Sequence, residues 1–507
     1  MTVDSSSSST TAGGASSALS VERNGINVIS EAERKGHPRD LFWPWCAANI
    51  SVFGVSYGSF VLGFGINGWQ AVGAGVVGVV LSFLLVGLVS LAGRRGSAPT
   101  MVLSRAAFGV RGNSVPTLVS YLILVGYETA LVALATFATA TVFGRLGWSD
   151  GDTTKILAFV VVAAVIVAGG VLGFDMVMRL QKWLTILLVV VTVAYIALTV
   201  DEISGSALGA LPTGDVKAVF GAFVVVVSGF GISWVNSAAD YSRYLPRRAS
   251  SRGVVGWTTF GGSAPLVVLV AYGVLLAGSD PKLSSALAAD PIGALTVALP
   301  DWFLVPFVIV AVAGLVSGAL LDIYSSGLTL LTLGLPVPRW AAAALDGVIM
   351  VIGTIYIVWF AGDFLTPFFA FLVTLAVPIA AWCGVFLADL LLRRRDYDDA
   401  DLFDPRGRYG AVNPVALGSM VVSTVIGWGL VVSTAADGFP PEAAGFGWQG
   451  YLIELFGLGP KLEGPWTYAN LGVVVALVLP FLAYLLLGQR AVRRQESVAA
   501  REESVTA

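Results

Sequence analysis

Long runs of apolar residues constrain the fold of this chain more than any other feature. About twelve runs of roughly 20 or more residues contain almost no Lys, Arg, Asp or Glu, and a helix of that length crosses the hydrocarbon core of a bilayer. Charged residues make up 12% of the 507 residues, whereas soluble globular proteins carry about 25%. We therefore predict an all-α polytopic membrane protein. A soluble enzyme, a nucleic-acid-binding protein and a disordered chain are excluded.

Hydropathy divides the chain into twelve predicted spans, numbered in chain order. Spans 1 to 12 cover residues 42–66, 70–92, 115–143, 155–174, 178–200, 216–240, 255–278, 303–333, 340–361, 364–392, 413–435 and 469–488. Spans 3 and 8 are long enough that they must tilt or protrude. Residues 440–467 are too interrupted to span, and LIELF at 452–456 is predicted to lie in the membrane interface.

Both ends of the chain are polar. Residues 1–40 are predicted to form a cytoplasmic, mostly disordered arm, because the low-complexity run SSSSSTTAGGASS lies within the first 22 residues. No basic stretch followed by an apolar stretch opens the chain, so no cleaved signal peptide is predicted. Residues 490–507 are predicted to form a cytoplasmic tail.

The basic residues indicate the orientation. If the N-terminus is cytoplasmic, 24 of the 29 Lys and Arg residues fall on the cytoplasmic side. The five on the outer side are Arg145, Lys155, Lys217, Lys282 and Lys461. This asymmetry follows the positive-inside rule and supports an even number of spans. We therefore predict a plasma-membrane protein with both termini in the cytoplasm.

Histidine and cysteine offer little chemistry. The single histidine, His37, lies in the arm, which excludes Ser-His-Asp catalysis, a His metal site and a His proton relay from the membrane domain. Cys46 and Cys383 lie in apolar segments and are interpreted as small packed residues, so neither a disulfide framework nor a thiolate metal cluster is expected. No metal or cofactor is predicted, and any proton chemistry in the bilayer must use carboxyl groups.

Two spans carry clusters of Gly, Ser and Asn near mid-membrane. Span 1 reads NISVFGVSYGS at residues 49–59, and span 6 reads SGFGISWVNS at residues 228–237. A backbone in the bilayer leaves the helix only where it lines a cavity, and broken helices at matching places in two repeats mark a transporter's site. Because the two spans are five apart, we predict that both are broken. Close packing of small residues is the alternative.

Two carboxyl groups lie deep in predicted spans. Glu128 is halfway along span 3 and Asp322 is similarly deep in span 8, while every Lys and Arg falls in a loop or at a helix end. A carboxyl without a cationic partner favours its neutral form in hydrocarbon and can exchange a proton. Both are therefore proton-coupling candidates, with hydrogen-bonded packing as the alternative. Asp175, Asp363 and Asp389 fall at span ends and are predicted to be solvated.

Aromatic side chains accompany the polar clusters. Phe53 lies in span 1, Phe230 and Trp234 lie in span 6, and Tyr127 precedes Glu128. Stacking a base on an aromatic ring contributes about 1–3 kcal/mol. The coincidence of rings with the polar clusters indicates a planar heterocyclic cargo, although a single aromatic residue more often faces lipid or core.

A set of short motifs stands along the chain. They are ERNGI at 22–26, RKGHPRDLFW at 34–43, AAN at 47–49, GSAPT at 96–100, RAAFG at 105–109, AADYSRYLP at 238–246, DIYSSGL at 322–328, and Pro378 with WCGVFLAD at 382–389. Together they resemble the nucleobase-cation-symport-1 family on its purine–cytosine permease branch, and the motif at 238–246 is the most specific. The resemblance runs from residue 22 to 395 and is weaker over spans 11 and 12.

The resemblance implies a leucine-transporter-type fold, in which two inverted repeats of five helices are followed by two trailing helices. Residues 41–200 would form the first repeat, 201–392 the second, and 393–489 spans 11 and 12 with their loops. It also implies secondary active import of a nucleobase, cytosine and/or purines, by cation symport with alternating access. The implied partners are the nucleobase and the lipid bilayer, with no nucleic acid and no obligate protein partner.

The resemblance also implies the substrate site. In the family a base lies between an aromatic residue of helix 3 and a tryptophan of helix 6, and the broken part of helix 1 supplies polar contacts. The predicted substrate-binding residues are Ser51, Phe53, Gly54, Tyr127, Glu128, Phe230, Trp234 and Asp322.

Helix 8 departs from the family pattern. Gly318 and Ala319 stand where several relatives have asparagines, and either Asp322 or Glu128 is expected to replace the missing amide. A carboxylate accepts two hydrogen bonds and would favour cytosine, adenine or guanine, which present adjacent N–H groups.

The coupling ion and the cargo have alternatives. Sodium-coupled relatives use helix 1 carbonyls and helix 8 hydroxyls, and residues 313–317 (AGLVS) offer one hydroxyl, so proton coupling is favoured over sodium. The alternative cargoes are allantoin, hydantoin, uracil or a pyridine vitamin. A channel would not need two deep unpaired acids. An enzyme is disfavoured, because the sequence shows no nucleotide-binding loop, metal cluster or nucleophile–base pair.

Overall fold

The twelve predicted spans are present as helices in the computed structural model, which describes residues 21–361, 365–433, 447–459, 466 and 469–506. Nine helices in this part of the chain are long and apolar enough to cross a membrane, and two bent helix pairs also pass that test. A shorter apolar helix, Pro414–Trp428, supplies span 11. Residues 1–20 of the predicted disordered arm, Asp363, and half of the 440–467 segment (440–446, 460–465 and 467) lie outside the described residues.

Ten spans are single helices, and spans 1 and 6 are interrupted. Spans 2 to 5 are Gly68–Gly96, Ser114–Arg145, Asp152–Leu172 and Phe174–Thr199; spans 7 to 12 are Ser251–Ser279, Asp301–Thr332, Arg339–Trp359, Leu365–Leu392, Pro414–Trp428 and Leu471–Leu487. Span 1 comprises Phe42–Asn49 and Phe53–Leu62, and span 6 comprises Val216–Gly229, Gly231–Trp234, Val235–Ser237 and Ala238–Ser242. A tail helix, Gln489–Thr506, follows span 12.

Local sequence sets the helix ends. Span 2 begins with a capping box, in which the backbone N–H of Gln70 donates to Asn67 Oδ1 (2.9 Å) and the backbone N–H of Asn67 donates to Gln70 Oε1 (3.1 Å). Span 4 ends at Gly173, whose φ of +92° is a left-handed conformation that favours glycine. Span 5 therefore starts in a new direction directly after span 4.

Span 11 is shorter than predicted. Its helix ends at Trp428, and the next residues are bonded by chain that returns after the loop. The N–H of Gly450 donates to the carbonyl of Trp428 at 2.9 Å, and the N–H of Leu452 donates to that of Gly429 at 2.8 Å. These bonds satisfy the backbone at the helix end, so the helix can stop within an apolar run.

Two helix groups build the core. Spans 1, 2, 6 and 7 pack against one another and form the bundle group, while spans 3, 4, 8 and 9 form the frame group. Span 5 contacts both groups, and spans 10, 11 and 12 pack together. Span 1 crosses span 7 at Gly58 and Gly273, where a Cβ on Gly58 would overlap the backbone of Gly273. Small residues permit such close packing of membrane helices.

Ion pairs join the arm to loops that the positive-inside rule assigns to one side. Glu22 of the arm pairs with Arg243 after span 6 at 3.0 Å. Arg95 at the end of span 2 pairs with Asp396 after span 10, also at 3.0 Å, and Arg247 after span 6 pairs with Asp399 after span 10 at 3.2 Å. The arm and these loops therefore lie on the same side of the membrane domain.

The prediction that Asp389 is solvated is wrong, whereas Asp175 is half exposed as predicted. The Asp389 carboxylate is completely buried and accepts two hydrogen bonds from Arg393, at 2.9 and 3.0 Å. Arg393 also donates to Gln495 Oε1 (2.9 Å) and to the carbonyl of Ala106 (3.4 Å). Burying a carboxylate is costly unless it is paired and hydrogen-bonded, and this pair joins span 10 to the tail helix.

The loop between spans 2 and 3 contains two short helices, Thr100–Leu103 and Arg105–Phe108, which are contacted by spans 10 and 11. Asn413 donates hydrogen bonds to two carbonyls of the second short helix, at 2.9 and 2.8 Å. Trp382 of span 10 donates to Ser104 Oγ at 2.8 Å. Spans 10 and 11 therefore fix the entry into span 3.

Candidate substrate-binding site

The predicted break in span 1 is confirmed. The first half of the span ends at Asn49 and the second half begins at Phe53, with a bend of 66° between them. Ile50 leaves the helical conformation, with φ −91° and ψ 46°. The Ser51 hydroxyl accepts a hydrogen bond from the N–H of Phe53 at 3.3 Å. Such a break is tolerated at membrane depth only where protein or a cavity surrounds the freed backbone groups.

The predicted break in span 6 is also confirmed. Phe230 has φ −115° and ψ −95°, after which Gly231–Trp234 forms a short separate helix and Val235–Ser237 a 3-10 turn. The N–H of Gly231 donates to Ser82 Oγ of span 2 at 3.2 Å. A Cβ at position 231 would overlap the backbone of Ser82. Close approach of the two backbones therefore requires glycine at this break.

Aromatic rings connect the two breaks. Tyr57 contacts Phe53 at 5.6 Å and Phe230 at 4.2 Å between ring centroids. Phe368 of span 10 contacts Phe53 at 6.5 Å and Tyr127 at 5.9 Å. The predicted residues Phe53, Tyr127 and Phe230 thus belong to one aromatic cluster. Sequence reasoning missed Tyr57 and Phe368, which complete it.

Tyr127 is tied to the broken part of span 6, and Trp234 lies beside that contact. The Tyr127 hydroxyl bonds Ser233 Oγ at 2.8 Å and lies 3.3 Å from the carbonyl oxygen of Gly229. Trp234 is 9% exposed and packs edge-on against Trp45, with centroids 5.7 Å apart. The indole of Trp234 therefore faces the protein interior and not the lipid.

Ser51 and Gly54 face different neighbours. Ser51 lies within the break, and a Cβ on Gly314 of span 8 would approach it to 3.2 Å. A Cβ on Gly54 would meet Leu266 and Leu269 of span 7, also at 3.2 Å. Ser51 therefore lies where span 1 contacts span 8 of the frame group, while Gly54 lets span 1 pack closely on span 7.

Glu128 and Asp322 lie within the frame group and face a third carboxyl, Asp346 of span 9. Glu128 and Asp346 are completely buried, and Asp322 is 2% exposed. Consecutive residues point about 100° apart around a helix, so Glu128 turns toward spans 8 and 9 while Tyr127 turns toward span 6. Both oxygens of Glu128 and one of Asp322 have no hydrogen-bond partner in the described part of the chain.

Asp346 was not predicted as a site residue, although the sequence contains its signal. It is a single acidic residue inside the apolar run of span 9, seven positions after Arg339. Its Oδ2 accepts a hydrogen bond from the Ser326 hydroxyl of span 8, and its Oδ1 has no partner among the described residues. The structure therefore adds a third carboxyl to the two that the sequence indicated.

The single hydroxyl of residues 313–317 is already bonded. Ser317 Oγ donates to Gln181 Oε1 of span 5 at 2.5 Å, and Gln181 Nε2 donates back to the carbonyl of Ser317 at 2.8 Å. One amide thus engages both the hydroxyl and the carbonyl of Ser317. Sequence reasoning did not single out Gln181, because only the fold brings it to span 8.

Comparison with known proteins identifies the family. Residues 28–454 match the family described as permeases for cytosine/purines, uracil, thiamine and allantoin. The chain belongs to this family. It is 24% identical over 415 residues to the putative purine-cytosine permease YxlA of Bacillus subtilis, covering 80% of this chain and 88% of that protein. It is also 24% identical to the yeast purine-cytosine permease FCY21 over 55% of this chain and 53% of that protein.

Solved structures show the same fold. The nucleobase-cation-symport-1 transporter Mhp1, closed with bromovinylhydantoin bound, aligns with a TM-score of 0.65 at 20% identity, over 94% of this chain and all of that chain. A Na⁺-coupled sialic acid symporter aligns with a TM-score of 0.54 at 12% identity, over 90% of this chain and 91% of that one. The predicted leucine-transporter-type fold is confirmed. This member of the family is a membrane transporter and not an enzyme.

Proposed function

We propose that the chain imports a nucleobase, cytosine and/or a purine, by secondary active transport with alternating access. The observation that carries this proposal is the pair of broken helices joined by the aromatic cluster. Flat rings suit a planar base, and stacking contributes about 1–3 kcal/mol per base. Broken helices also offer backbone donors and acceptors to a substrate. The likeness to purine-cytosine permeases supports this choice of cargo.

The coupling ion in this proposal is a proton, carried by Glu128 and Asp322. Neither carboxyl forms an ion pair with a Lys or Arg among the described residues. Residues 313–317 of span 8 offer a cation a single hydroxyl, that of Ser317. Both observations support proton coupling over sodium coupling.

A second candidate is import of another planar heterocycle, coupled to protons or to sodium: allantoin, hydantoin, uracil or a pyridine vitamin. The family description includes uracil and allantoin, and the aligned structure of Mhp1 holds a hydantoin. Both candidate classes of cargo are flat rings that can stack on the aromatic cluster. They differ in the hydrogen-bonding groups that the edge of the ring presents.

The proposed location is the plasma membrane, with both termini in the cytoplasm. The ion pairs that place the arm and the loops on one side support this orientation, as does the excess of basic residues there. The proposed partners are the nucleobase and the surrounding lipid.

Uptake of radiolabelled cytosine in a transport-deficient strain tests the proposal. We expect saturable uptake that rises with an inward proton gradient and does not need sodium. Unlabelled cytosine, adenine and guanine should compete, whereas competition by allantoin, hydantoin or uracil alone would favour the second candidate. Preloaded unlabelled base should accelerate uptake by exchange, as expected for a carrier, and uptake that never saturates would indicate a channel.

A further inference from the structure

Glu128 and Asp346 form a carboxyl pair across two helices of the frame group. Their carboxyl groups lie within hydrogen-bonding reach of each other, and both side chains are completely buried. Ser326 donates one hydrogen bond to Asp346 Oδ2, but both oxygens of Glu128 lack a donor in the described part of the chain. Buried polar groups are nearly always hydrogen-bonded, and two neighbouring carboxyls can bond each other only if one of them carries a proton.

The groups around this pair are acidic or neutral. The titratable side chains that face it are Tyr121 of span 3, Asp322 of span 8 and Tyr241 of span 6. No Lys or Arg in the described ranges pairs with it. Two facing carboxyls cannot both be ionised in such surroundings, because like charges in a water-poor site repel strongly. A proton shared by the two carboxyls removes this repulsion and gives the pair a hydrogen bond.

We propose that Glu128 and Asp346 share one exchangeable proton, and that this proton is the coupling ion. Binding forms one O–H bond on the pair and release breaks it, so one proton moves from one side of the membrane to the other with each base. The charge of Asp322 acts on both Asp346 and Tyr127, so Asp322 lies near the pair and near the aromatic cluster. This inference rests on the proposed function and adds Asp346 to it.

Purified protein in liposomes tests the role of Asp346. One pH unit is a tenfold proton ratio, so coupling to one proton supports up to about tenfold accumulation of base. In D346N and E128Q we expect accumulation to fall to a ratio of about 1, while exchange of internal for external base continues at a reduced rate. A pH-sensitive dye should show proton entry with cytosine in the wild type and none in D346N. D346E, which keeps a carboxyl, should still accumulate base.

Asp301→Asn is the matched control, because Asp301 is an exposed aspartate at the start of span 8, and it should accumulate base as the wild type does. Full accumulation by D346N would overturn the inference, as would wild-type accumulation that follows a sodium gradient and ignores a proton gradient. If D346N is not recovered folded, loss of accumulation in folded D346E would count against the pair as well. Absence of any base exchange in the wild type would instead refute the proposed function.

A separate set of contacts centres on Glu22 of the arm. Its carboxylate accepts hydrogen bonds from Arg243 Nη2 (3.0 Å) and the Tyr244 hydroxyl (2.6 Å), both directly after span 6 of the bundle group. It also accepts from the Tyr324 hydroxyl of span 8 (3.2 Å) and from the N–H of Phe174 at the start of span 5 (2.8 Å). One carboxylate thus joins the bundle group to span 5 and the frame group.

The surrounding bonds fix Glu22 in this position. Its own N–H donates to the carbonyl of Leu172 at the end of span 4 (3.0 Å), and Arg339 at the start of span 9 lies 3.4 Å from its Oε2. Arg243 donates a further bond to the carbonyl of Gly25 at 2.7 Å. The side chains of Arg243 and Arg339 are almost fully buried, so removing Glu22 would leave two buried cations without their carboxylate.

From these contacts we infer that Glu22 is a latch, which holds the arm-side ends of the two helix groups together. Separation of the groups on that side requires Glu22 to leave Arg243 and Arg339. The latch therefore controls access to the substrate from the side that carries the arm.

The two native cysteines report on this latch. Cys46 is buried in the first half of span 1, at the arm side, and Cys383 is buried in span 10. In E22A we expect a membrane-permeant maleimide to label Cys46 at least fivefold faster while Cys383 stays protected. E31A is the control, because Glu31 is an exposed acid of the same arm, and its labelling should match the wild type.

Unchanged labelling of Cys46 in E22A would overturn the latch. Equal acceleration at both cysteines would indicate general unfolding. In that case E22Q, which keeps the size of the side chain and removes the charge, is measured in the same way, and selective labelling of Cys46 is again required.

Discussion

The bundle group and the frame group use polarity in opposite ways. In the bundle group the helices of spans 1 and 6 are broken, and the polar groups at the breaks are backbone amides and hydroxyls such as Ser51 and Ser233. In the frame group the helices of spans 3, 8 and 9 are continuous, and they carry Glu128, Asp322 and Asp346. The breaks at 50–52 and 230–237 carry no charged side chain, whereas the regular helices of the frame group carry three buried carboxyls.

This difference separates two tasks. A neutral flat cargo needs directional hydrogen bonds and ring surfaces, which broken backbone and aromatic side chains supply without burying a charge. A proton needs carboxyl groups held at a constant separation, which continuous helices provide. The contrast predicts that changes at the breaks and in the aromatic cluster alter binding, while changes to the carboxyls of the frame group alter coupling.

The largest effect should come from Trp234→Ala in the bundle group. Loss of a stacked ring, worth about 1–3 kcal/mol, should weaken cytosine binding by roughly 5- to 150-fold. Binding to purified protein and initial uptake rates would measure this. Trp302→Ala removes the same side chain from an exposed position on span 8 and should leave both unchanged. Wild-type binding in Trp234→Ala would remove this residue from the site.

Gln181→Ala tests the contact between span 5 and span 8 of the frame group. Two hydrogen bonds to Ser317 are lost, each worth about 0.5–1.5 kcal/mol, so the melting temperature should fall by a few degrees. Proton coupling also predicts that sodium does not raise the melting temperature of the wild type. Ser317→Ala should lower stability, and the double variant should be no less stable than the worse single variant. Strong sodium stabilisation of the wild type would contradict this account.

The smallest effect should come from Tyr127→Phe. The ring remains in the aromatic cluster, and only the hydroxyl contacts with Ser233 and Gly229 are lost. A neutral hydrogen bond contributes about 1 kcal/mol, so cytosine affinity should fall by about fivefold or less. Loss of proton coupling in this variant, with binding intact, would contradict the assignment of the aromatic cluster to binding and of the carboxyls to coupling.

Much of the fold could be predicted, because hydrocarbon leaves a chain few options. Apolar runs must be helical across the bilayer, and the clusters of Gly, Ser and Asn marked both broken spans. The end of span 11 could not be predicted, since the bonds that satisfy its backbone come from Gly450 and Leu452 beyond a loop. The burial of Asp389 was predictable in principle, because Arg393 stands four residues later on the same helix face.

The candidate site was predicted less completely. Phe53, Tyr127 and Phe230 were found because they stand beside polar clusters in the sequence. Phe368 and Gln181 carry no such local signal, since their roles depend on which helices the fold brings together. Asp346 did carry one, as a lone acid in an apolar span, and its position opposite Glu128 became visible only once spans 3 and 9 were packed.

Spans 10 and 11 also matter for how the protein is made. Asn413 at the start of span 11 and Trp382 of span 10 hold the short helices that precede span 3. Arg393 reaches the same short helices and Gln495 of the tail. During synthesis these partners leave the ribosome hundreds of residues after span 3. The short helices that precede span 3 therefore cannot form all of their native contacts until nearly the whole polypeptide has been inserted.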